Sequence, residues 1–340
     1  MTTTMRAVAY RASLPVTDDE SLLDVKLPVP EPGPRDLLVQ VEAVAVNPVD
    51  PKVRKNQDPQ GRERVLGWDA AGTVVATGSQ VENFKPGDEV YYSGALDRPG
   101  ANSEYHVVDE RIVALKPTTL TFTEAASLPL TSLTAWEGLF ERIGLHHDLI
   151  GETGSLLVTA AGGGVGAVVS QLARALTDLT VIGTASRPET VDFARRMGAH
   201  HIVDHHQALL PQLAEVAPNG IDHVFSTAGT HRNLAVYAEA LNPFGQIVAI
   251  DDVEDLPIGL LMPKSIGFHW EFMFTRSLFR TADMDRQGKI LTQVARLVDA
   301  GVMVSTATRD LGPVNAANLR EAHGIMESGT AIGKITLTGF

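Results

Sequence analysis

Residues 155–187 read SLLVTAAGGGVGAVVSQLARALTDLTVIGTASR, and this stretch decides the fold. It opens with a short apolar run, 156–159, which is typical of a strand buried on both faces. A glycine-rich turn, 160–166, leads into a segment with helical spacing of apolar residues, 167–176, and a second apolar run covers 179–184. The order predicts strand, turn, helix and strand, which is one βαβ unit with a right-handed crossover.

The glycine-rich turn predicts a dinucleotide site. A pyrophosphate needs a close approach of the backbone, which a Cβ atom would block, and the amides at a helix N-terminus attract the anion. A tight turn used only for packing is the alternative, but the strand–turn–helix–strand context favours binding. The candidate contacts are Gly162, Gly163, Gly164, Val165 and Gly166.

The register of the dinucleotide fingerprint is open. The residues at 162, 164 and 167 have the spacing of G-x-G-x-x-G with a final alanine. A shifted set, at 160, 163 and 166, is the alternative.

The end of the second strand indicates which dinucleotide binds. An NAD site usually places Asp or Glu there, where the carboxylate accepts a hydrogen bond from the ribose 2′-hydroxyl. Here residues 184–187 read TASR, and the first carboxylate that follows is Glu189. Ser186 can hydrogen-bond a 2′-phosphate and Arg187 can pair with it, whereas an acid would repel it. Arg187 as a solvated residue before a helix is the alternative; the βαβ context favours NADPH over NADH.

The composition is that of an ordinary globular protein of 340 residues, long enough for two domains. A net charge of −13 argues against nucleic acid or an anionic membrane surface as the main partner. The absence of cysteine excludes disulfides, thiolate catalysis and thiolate-bound zinc. No apolar run is long enough to span a bilayer and the first residues lack a signal peptide's apolar region, so a cytoplasmic location is expected.

Two patterns follow each other along the chain. Up to about residue 116, short apolar runs alternate with turn residues, which predicts a barrel-like β domain. Within it, Asn47 to Arg54 reads as a loop or a short helix start, because two prolines bracket a polar cluster. Later segments alternate between helix and strand and predict an open parallel sheet, with a helix over 130–142 and an aromatic strand over 266–274.

Seven short motifs, in order across nearly the whole chain, are similar to those of one family. They are Asn47–Asp50 (NPVD), Gly67–Gly72 (GWDAAG), Lys85–Asp88 (KPGD), Leu130–Trp136 (LTSLTAW), 160–166 (AAGGGVG), Gly198–His200 (GAH) and Gly333–Lys334. The sequence resembles the medium-chain dehydrogenase/reductases. Within them it looks like the zinc-free quinone oxidoreductases related to zeta-crystallin, some of which are labelled "zinc-type alcohol dehydrogenase-like".

The resemblance implies an α/β architecture of two domains. A GroES-like β-barrel catalytic domain would comprise residues 1–125 and 277–340, and a Rossmann domain with a doubly wound parallel sheet would comprise residues 126–276. It also implies a cleft between the domains for cofactor and substrate, and a homodimer.

A zinc site is not expected. The resemblance aligns Asn47 with the first cysteine ligand of zinc-dependent relatives, Trp68 with the histidine and Asp69 with the glutamate of their Gly-His-Glu motif. A lone carboxylate cannot hold zinc, which takes about four ligands. The pairs His200–His201 and His205–His206 flank a predicted strand, so residues at the sheet edge are a better interpretation than a metal site.

The candidate site residues divide by role. For catalysis, the amide of Asn47 is the first choice to stabilise charge on an acceptor oxygen, with Lys52 as a possible cation and Tyr92 as a possible hydroxyl donor. Asp50 is expected to orient the loop. Further candidate cofactor contacts are Thr131, Thr134, Ala228, Ile250, Phe272, Phe274 and Lys334.

The sequence therefore predicts a zinc-independent, NADPH-dependent oxidoreductase that transfers hydride to a small-molecule acceptor of the quinone type. Two alternatives remain. One is a reductase of activated carbon–carbon double bonds, such as those of enones and alkenals. The other is an NADPH-binding redox sensor without catalytic activity, since a fold alone does not settle a function.

Overall fold

The computed structural model describes residues 3–146, 153–252 and 255–340. The chain divides into two compact units: the first is Met1–Leu130 with Phe274–Phe340, and the second is Thr131–Met273. The domain boundaries after residues 125 and 276 remain predictions.

The helices and strands are numbered in chain order. The strands are β1 (Thr4–Tyr10), β2 (Leu23–Pro28), β3 (Asp36–Val46), β4 (Arg64–Val65), β5 (Asp69–Thr77), β6 (Glu89–Ser93), β7 (Tyr105–Asp109), β8 (Val113–Leu115), β9 (Thr153–Val158), β10 (Asp178–Thr184), β11 (His201–Val203), β12 (Ile221–Ser226), β13 (Leu241–Ala249), β14 (Gly267–Trp270), β15 (Ala307–Pro313) and β16 (Lys334–Thr338). The α-helices are α1 (Val49–Asn56), α2 (Phe122–Ala126), α3 (Pro129–Trp136), α4 (Gly164–Leu176), α5 (Pro188–Arg196), α6 (Leu209–Val216), α7 (Thr230–Ala240), α8 (Thr275–Phe279), α9 (Arg286–Asp299) and α10 (Ala316–Ser328).

The first unit is built on β3. A seven-stranded sheet runs in the order β15-β16-β3-β5-β6-β8, with β7 also paired to β3, and a smaller sheet has the order β2-β1-β4. β3 pairs antiparallel with β5 and with β16, so Val46 lies opposite Ile335 and Ala45 opposite Asp69. The predicted β-rich domain is confirmed. The helix α2 of this unit begins with a capping box formed by Thr121 and Glu124.

The second unit is a doubly wound sheet. Its six strands are all parallel, in the order β11-β10-β9-β12-β13-β14, which is the Rossmann order. The predicted βαβ unit corresponds to β9, α4 and β10. Its central strands each have a buried segment, with Leu157, Ile182, Val224 and Ile247 in one core cluster, which explains why these segments read as continuous apolar runs. Among the helices of the described ranges, none combines the length and hydropathy that crossing a membrane requires.

The predicted strand over 266–274 is wrong in its second half. β14 ends at Trp270, opposite Ala249, because its partner β13 also ends there. The chain then turns, and α8 begins at Thr275. Phe272 and Phe274 therefore do not share a strand face with Phe268. The alternation of aromatic residues continues past Trp270 in the sequence, but the strand does not.

One helical segment differs from the prediction, and another decides between two predicted alternatives. The helix expected over 130–142 is α-helical only to Trp136, and Glu137–Arg142 continues as a π-helix. There a Cβ atom on Gly138 would lie 2.5 Å from the ring of Phe225, so glycine allows the segment to approach β12 closely. The stretch after Asn47, left open between loop and helix, forms α1; Pro51 lies in its first turn, where no N–H is needed.

β15 has no counterpart among the strands that the sequence predicts. Its residues, ATRDLGP, include no buried side chain and lack apolar alternation. It pairs parallel with β16 at the edge of the larger sheet, so tertiary pairing alone makes it a strand.

The close packing of β3 on β5 gives the first testable prediction. A Cβ atom on Gly72 would lie 2.0 Å from the backbone oxygen of Gln40. We expect Gly72→Ala to lower the free energy of unfolding by about 3 kcal/mol in chemical denaturation, because the backbone must move. Gly324→Ala is the matched control. Gly324 lies within α10, and beyond its chain neighbours and the adjoining helix backbone a Cβ atom there would meet no heavy atom of the described residues within 4 Å, so that variant should gain ~0.5–1 kcal/mol. Equal stability of the two variants would contradict the packing argument.

Candidate functional site

The glycine turn of the second unit is built for close approach. Gly163 caps α4, which begins at Gly164. A Cβ atom on Gly162 would lie 2.9 Å from the Thr190 side chain, and one on Gly166 would lie 2.5 Å from the Ala160 oxygen. The first amides of a helix have no partner within the helix, so the turn presents free donors and a positive dipole end to an anion. These features fit a dinucleotide pyrophosphate.

The packing of the turn favours one register of the fingerprint. At Gly166 the helix lies too close to the turn backbone at Ala160 for a side chain, whereas Ala167, predicted for that role in the first register, carries one and is buried. If Gly166 is the third glycine of G-x-G-x-x-G, the second position is Gly163 and the first is Ala161. This set shares Gly163 and Gly166 with the shifted set, whose first member was Ala160. The methyl group of Ala161 is accommodated by Gly183 of β10, where a Cβ atom would lie 2.7 Å from it.

The end of β10 carries the residues predicted to select NADPH. Ser186 and Arg187 are half-buried, and Arg187 immediately precedes α5. The Ser186 hydroxyl lies 3.4 Å from Nε2 of His205, which follows the neighbouring strand β11. The amide of Arg187 donates to the Thr190 hydroxyl at 3.2 Å, which fixes the start of α5.

Three more candidate contacts follow strands of the same sheet. Ala228 comes after β12, Ile250 after β13 and Phe272 after β14, so the parallel topology brings them to the carboxyl edge with the glycine turn. Ala228 and Phe272 are exposed, and Phe272 retains half of its accessible surface. Thr131 and Thr134 are buried in α3 of the same unit.

Sequence reasoning missed two polar anchors of this edge. The Thr159 hydroxyl accepts hydrogen bonds from the amides of Thr227 and Ala228 at 2.7 and 3.3 Å, which holds the turn after β12. Asp251 stands in an acidic run typical of a solvated loop, but its carboxylate accepts from the amide of Thr230 at 3.0 Å and from the Thr230 hydroxyl. Their only sequence signal is a position directly after a buried strand.

A polar cluster lies inside the first unit. Asp69 of β5, fully buried, accepts from the Asn47 side-chain amide at 2.8 Å and from Lys334 Nζ at 2.9 Å, while its other oxygen accepts from the Leu130 amide at 2.7 Å. Lys334 also donates to Asn47 Oδ1 at 2.5 Å. The Asp50 carboxylate accepts from the Asn47 backbone amide at 2.7 Å. We refer to Asn47, Asp50, Asp69 and Lys334 as the buried polar cluster.

These contacts define what each candidate can do. Both ends of the Asn47 side-chain amide are engaged by Asp69 and Lys334, so its assignment as a donor to a substrate stays a prediction. Lys334, predicted as a cofactor contact, lies in an ion pair of the first unit. Lys52 is exposed on α1, in the same turn as the buried Asp50.

Tyr92 and Phe274 are also internal to the first unit. The Tyr92 hydroxyl lies 3.0 Å from Nδ1 of His106, whose Nε2 lies 3.0 Å from the carbonyl oxygen of Pro99. Since a carbonyl only accepts, Nε2 carries the proton and the Tyr92 hydroxyl donates. Burial lowers the pKa of His106 to about 4, which keeps this ring neutral. Phe274 is buried with its ring centroid 6.1 Å from that of Trp68. The roles of Tyr92 and Phe274 toward ligands stay predictions.

Comparison with known proteins places this geometry in a family. Residues 33–118 match the alcohol dehydrogenase GroES-like domain, and residues 164–281 match the zinc-binding dehydrogenase family. The chain is 36% identical to a zinc-type alcohol dehydrogenase-like protein of Staphylococcus epidermidis, over 98% of this chain and 99% of that protein. The chain is a medium-chain dehydrogenase/reductase.

Two further relatives of this dehydrogenase/reductase are informative. A crystal structure from Rhizobium etli CFN 42, whose name places it among zinc-dependent alcohol dehydrogenases, matches with a TM-score of 0.96 and 48% identity, covering 100% of this chain and 99% of that one. The chloroplastic NADPH-dependent alkenal/one oxidoreductase of Arabidopsis thaliana is 30% identical over 93% of this chain and 75% of that protein. The predicted family and the GroES-like and Rossmann folds are confirmed.

The donor set of this medium-chain dehydrogenase/reductase does not fit the zinc that its family names suggest. Trp68 replaces a histidine ligand, and its indole N–H donates to the Ala95 carbonyl at 3.2 Å. Asn47 and Asp69 are hydrogen-bonded to the ammonium group of Lys334, a cation that already pairs with the Asp69 carboxylate. Across the described ranges, no group of three or more His, Asp or Glu side chains could hold a metal ion.

Asp50 gives a pH-dependent prediction. Burial raises the pKa of Asp50 to about 7, against the amide hydrogen bond from Asn47, which lowers it. The folded state therefore holds a proton that the unfolded state releases near pH 4, and this contribution to stability is lost as the pH rises through about 7. Urea denaturation at pH 5 and at pH 8 measures this. From pH 5 to pH 8 the free energy of unfolding of Asp50→Asn should fall less than that of the parent protein.

The exposed Glu31→Gln is the matched control and should keep the parent's pH dependence. If Asp50→Asn loses as much stability from pH 5 to pH 8 as the parent does, the carboxyl group of Asp50 is not the titrating group.

Proposed function

We propose that this medium-chain dehydrogenase/reductase uses NADPH to reduce electron-poor conjugated carbonyl compounds without a metal. The observation that carries the proposal is the carboxyl edge of the second unit. There a turn in which Gly162 and Gly166 have no room for a side chain lies beside a strand end that bears Ser186 and Arg187 instead of a carboxylate. When bound, NADPH supplies the hydride of the reduction.

The residues that would hold NADPH have distinct tasks. The amides of Gly164 and Val165, at the start of α4, would donate hydrogen bonds to the pyrophosphate. Ser186 and Arg187 would take the 2′-phosphate by charge-assisted hydrogen bonds. Thr159 and Asp251 would act as positioning residues, because their hydrogen bonds fix the turns that follow β12 and β13.

The acceptor class follows from the chemistry and from a relative. Conjugated carbonyl compounds accept hydride readily at an electron-poor carbon, so the main demand on the protein is to stabilise charge on the carbonyl oxygen. The name of the Arabidopsis relative specifies alkenals and alkenones, which favours an enone as the first class to test. A quinone, the first choice from the sequence, carries the same conjugated carbonyl and is the second class.

The first unit would supply the polar environment. The buried polar cluster holds the end of β3 and the start of α1 in place through Asn47, Asp50 and Lys334. Lys52 is exposed on that same helix and is the proposed cation for the developing oxygen charge. Asn47 would then position this helix, since its own amide is already bound at both ends.

A cofactor-oxidation assay tests the proposal. NADPH or NADH is mixed with 3-penten-2-one, 1,4-benzoquinone or 9,10-phenanthrenequinone, and the absorbance of the reduced nicotinamide is followed. We expect acceptor-dependent oxidation that prefers NADPH. Arg187→Ala should raise the KM for NADPH by roughly tenfold or more with little effect on NADH, because a charge-assisted bond to the 2′-phosphate is lost.

The outcomes separate the alternatives. Turnover only with quinones would favour the quinone class predicted from the sequence. An equal rise in the KM for NADPH and for NADH in Arg187→Ala would contradict the role given to Arg187. Tight NADPH binding with no turnover for any acceptor would favour the redox sensor. A metal chelator should leave the rate unchanged, and a loss restored by zinc would overturn the metal-free mechanism.

We also propose that the protein forms a homodimer through the edge of the second unit's sheet. β14 is an edge strand and so offers unpaired backbone groups. Trp270 on this strand is half exposed, and Ile258 and Met262 of the preceding segment are more exposed still. Exposed large apolar side chains beside an edge strand are typical of an interaction surface.

Sedimentation velocity tests the dimer. Met262→Glu combined with Trp270→Glu should convert a dimer to a monomer, because two carboxylates per subunit would be buried at the interface. Phe279→Glu is the control: that ring is 76% exposed in the first unit and should leave the dimer intact. A parent protein that sediments as a monomer at micromolar concentration would contradict the proposal.

A further inference from the structure

His205 lies where the proposed 2′-phosphate contacts converge. β9, β10 and β11 are adjacent parallel strands, so the glycine turn, Ser186 and His205 follow one another along the same edge. The register pairs Thr184 with Val203, and the amide of Ala185 donates to the Val203 carbonyl at 3.1 Å. This pairing fixes the spacing of the two loops, and it puts His205 Nε2 at 3.4 Å from the Ser186 hydroxyl.

The charges around His205 are mostly positive. Burial is the first cause that lowers the pKa of this imidazole, followed by the neighbouring His206, whose ring centroid lies 4.6 Å away. Asp204 opposes this effect, and Arg187 and Arg232 add to it. Arg232 comes from α7, and its guanidinium lies over Gly229, 3.3 Å from where a Cβ atom would be. Three elements thus direct cationic or titratable groups toward one exposed imidazole.

We propose that His205 is a further contact of the 2′-phosphate and that NADPH binding transfers a proton from solvent onto its imidazole. This inference rests on the proposed use of NADPH. The proton adds to a ring nitrogen of the neutral imidazole, so the phosphate oxygens then face His205, Arg187 and Arg232 as three cations. NADH has a neutral 2′-hydroxyl at this position, which does not stabilise the protonated imidazole as a phosphate would.

The sign of the pH dependence follows. In the free protein, partial burial and, after it, the positive neighbours keep the pKa of His205 below its usual range, so the ring is neutral near pH 7. A phosphate beside it raises that pKa, because an opposite charge favours the protonated form. Affinity for NADPH relative to NADH should therefore fall as the pH rises through the pKa of His205 in the complex, and the protein should take up protons when NADPH binds.

Calorimetry measures this proton uptake directly. NADPH and NADH are titrated into the full-length protein at pH 7 in two buffers of different ionisation enthalpy, and the difference in binding heat gives the protons taken up. The 2′-phosphate also titrates in this range, so the decisive comparison is with His205→Gln, which keeps a hydrogen-bond donor that cannot ionise. His201→Gln, exposed on β11, is the control histidine.

We expect the parent and His201→Gln to take up more protons with NADPH than His205→Gln does, and all three to agree with NADH. At pH 6 the ratio of NADPH affinity to NADH affinity should be roughly threefold lower in His205→Gln than in the parent, because an exposed ion pair contributes little binding energy. At pH 8.5 the two proteins should have the same ratio. Equal proton uptake by the parent and His205→Gln would overturn the inference about His205 and leave the proposed function standing. No preference for NADPH in the parent would overturn both.

Discussion

A buried ion pair between Lys334 and Asp69 joins parts of the first unit that are distant in the sequence. Lys334 begins β16, Asp69 begins β5, and Asn47, whose amide lies between them, directly follows β3. A charge this deeply buried is tolerated only when it is paired and hydrogen-bonded, and removal of one partner from such a pair typically costs about 3–5 kcal/mol. The cluster thus holds three neighbouring strands in register, and the start of α1 is fixed on it through Asp50.

The second unit depends on steric exclusion more than on charge. Its glycine turn works because Gly166 leaves space for the Ala160 carbonyl and Gly163 begins the helix at a fixed point. The contact between Ala161 and Gly183 shows that the limit on side-chain size involves the neighbouring strand β10 as well as the turn. The turn can carry the methyl group of Ala161 because β10 has no side chain at Gly183.

Much of the second unit could be predicted from the sequence, since a buried parallel strand leaves a continuous apolar run and a crossover helix leaves 3.6-residue spacing. The errors have physical causes. The strand after residue 266 stops at Trp270 because its partner stops, and β15 forms only because β16 lies beside it; neither fact is local. Ser186 and Arg187 could be named as candidates because they follow a recognisable strand. His205 could not be connected to them, because the contact depends on which strands are neighbours. The buried polar cluster was likewise visible only as separate motifs. The ion pair of Lys334 with Asp69 was not predicted, and the cofactor role of Lys334 stays a prediction.

The first unit is discontinuous, and this affects how the chain can fold. Val46 of β3 pairs with Ile335 of β16, with the whole second unit between them in sequence. Closing so long a loop is slow for an unfolded chain, because the entropy must be lost before the pairing contributes any stability. The second unit is one continuous segment with mostly nearest-neighbour strand order, so it can become compact first and shorten the path that separates β3 from β16. We therefore expect the pairing of β3 with β16 to form late, and until it forms only residues 43–46 of β3 lack a partner on that edge, because residues 36–40 pair with β7.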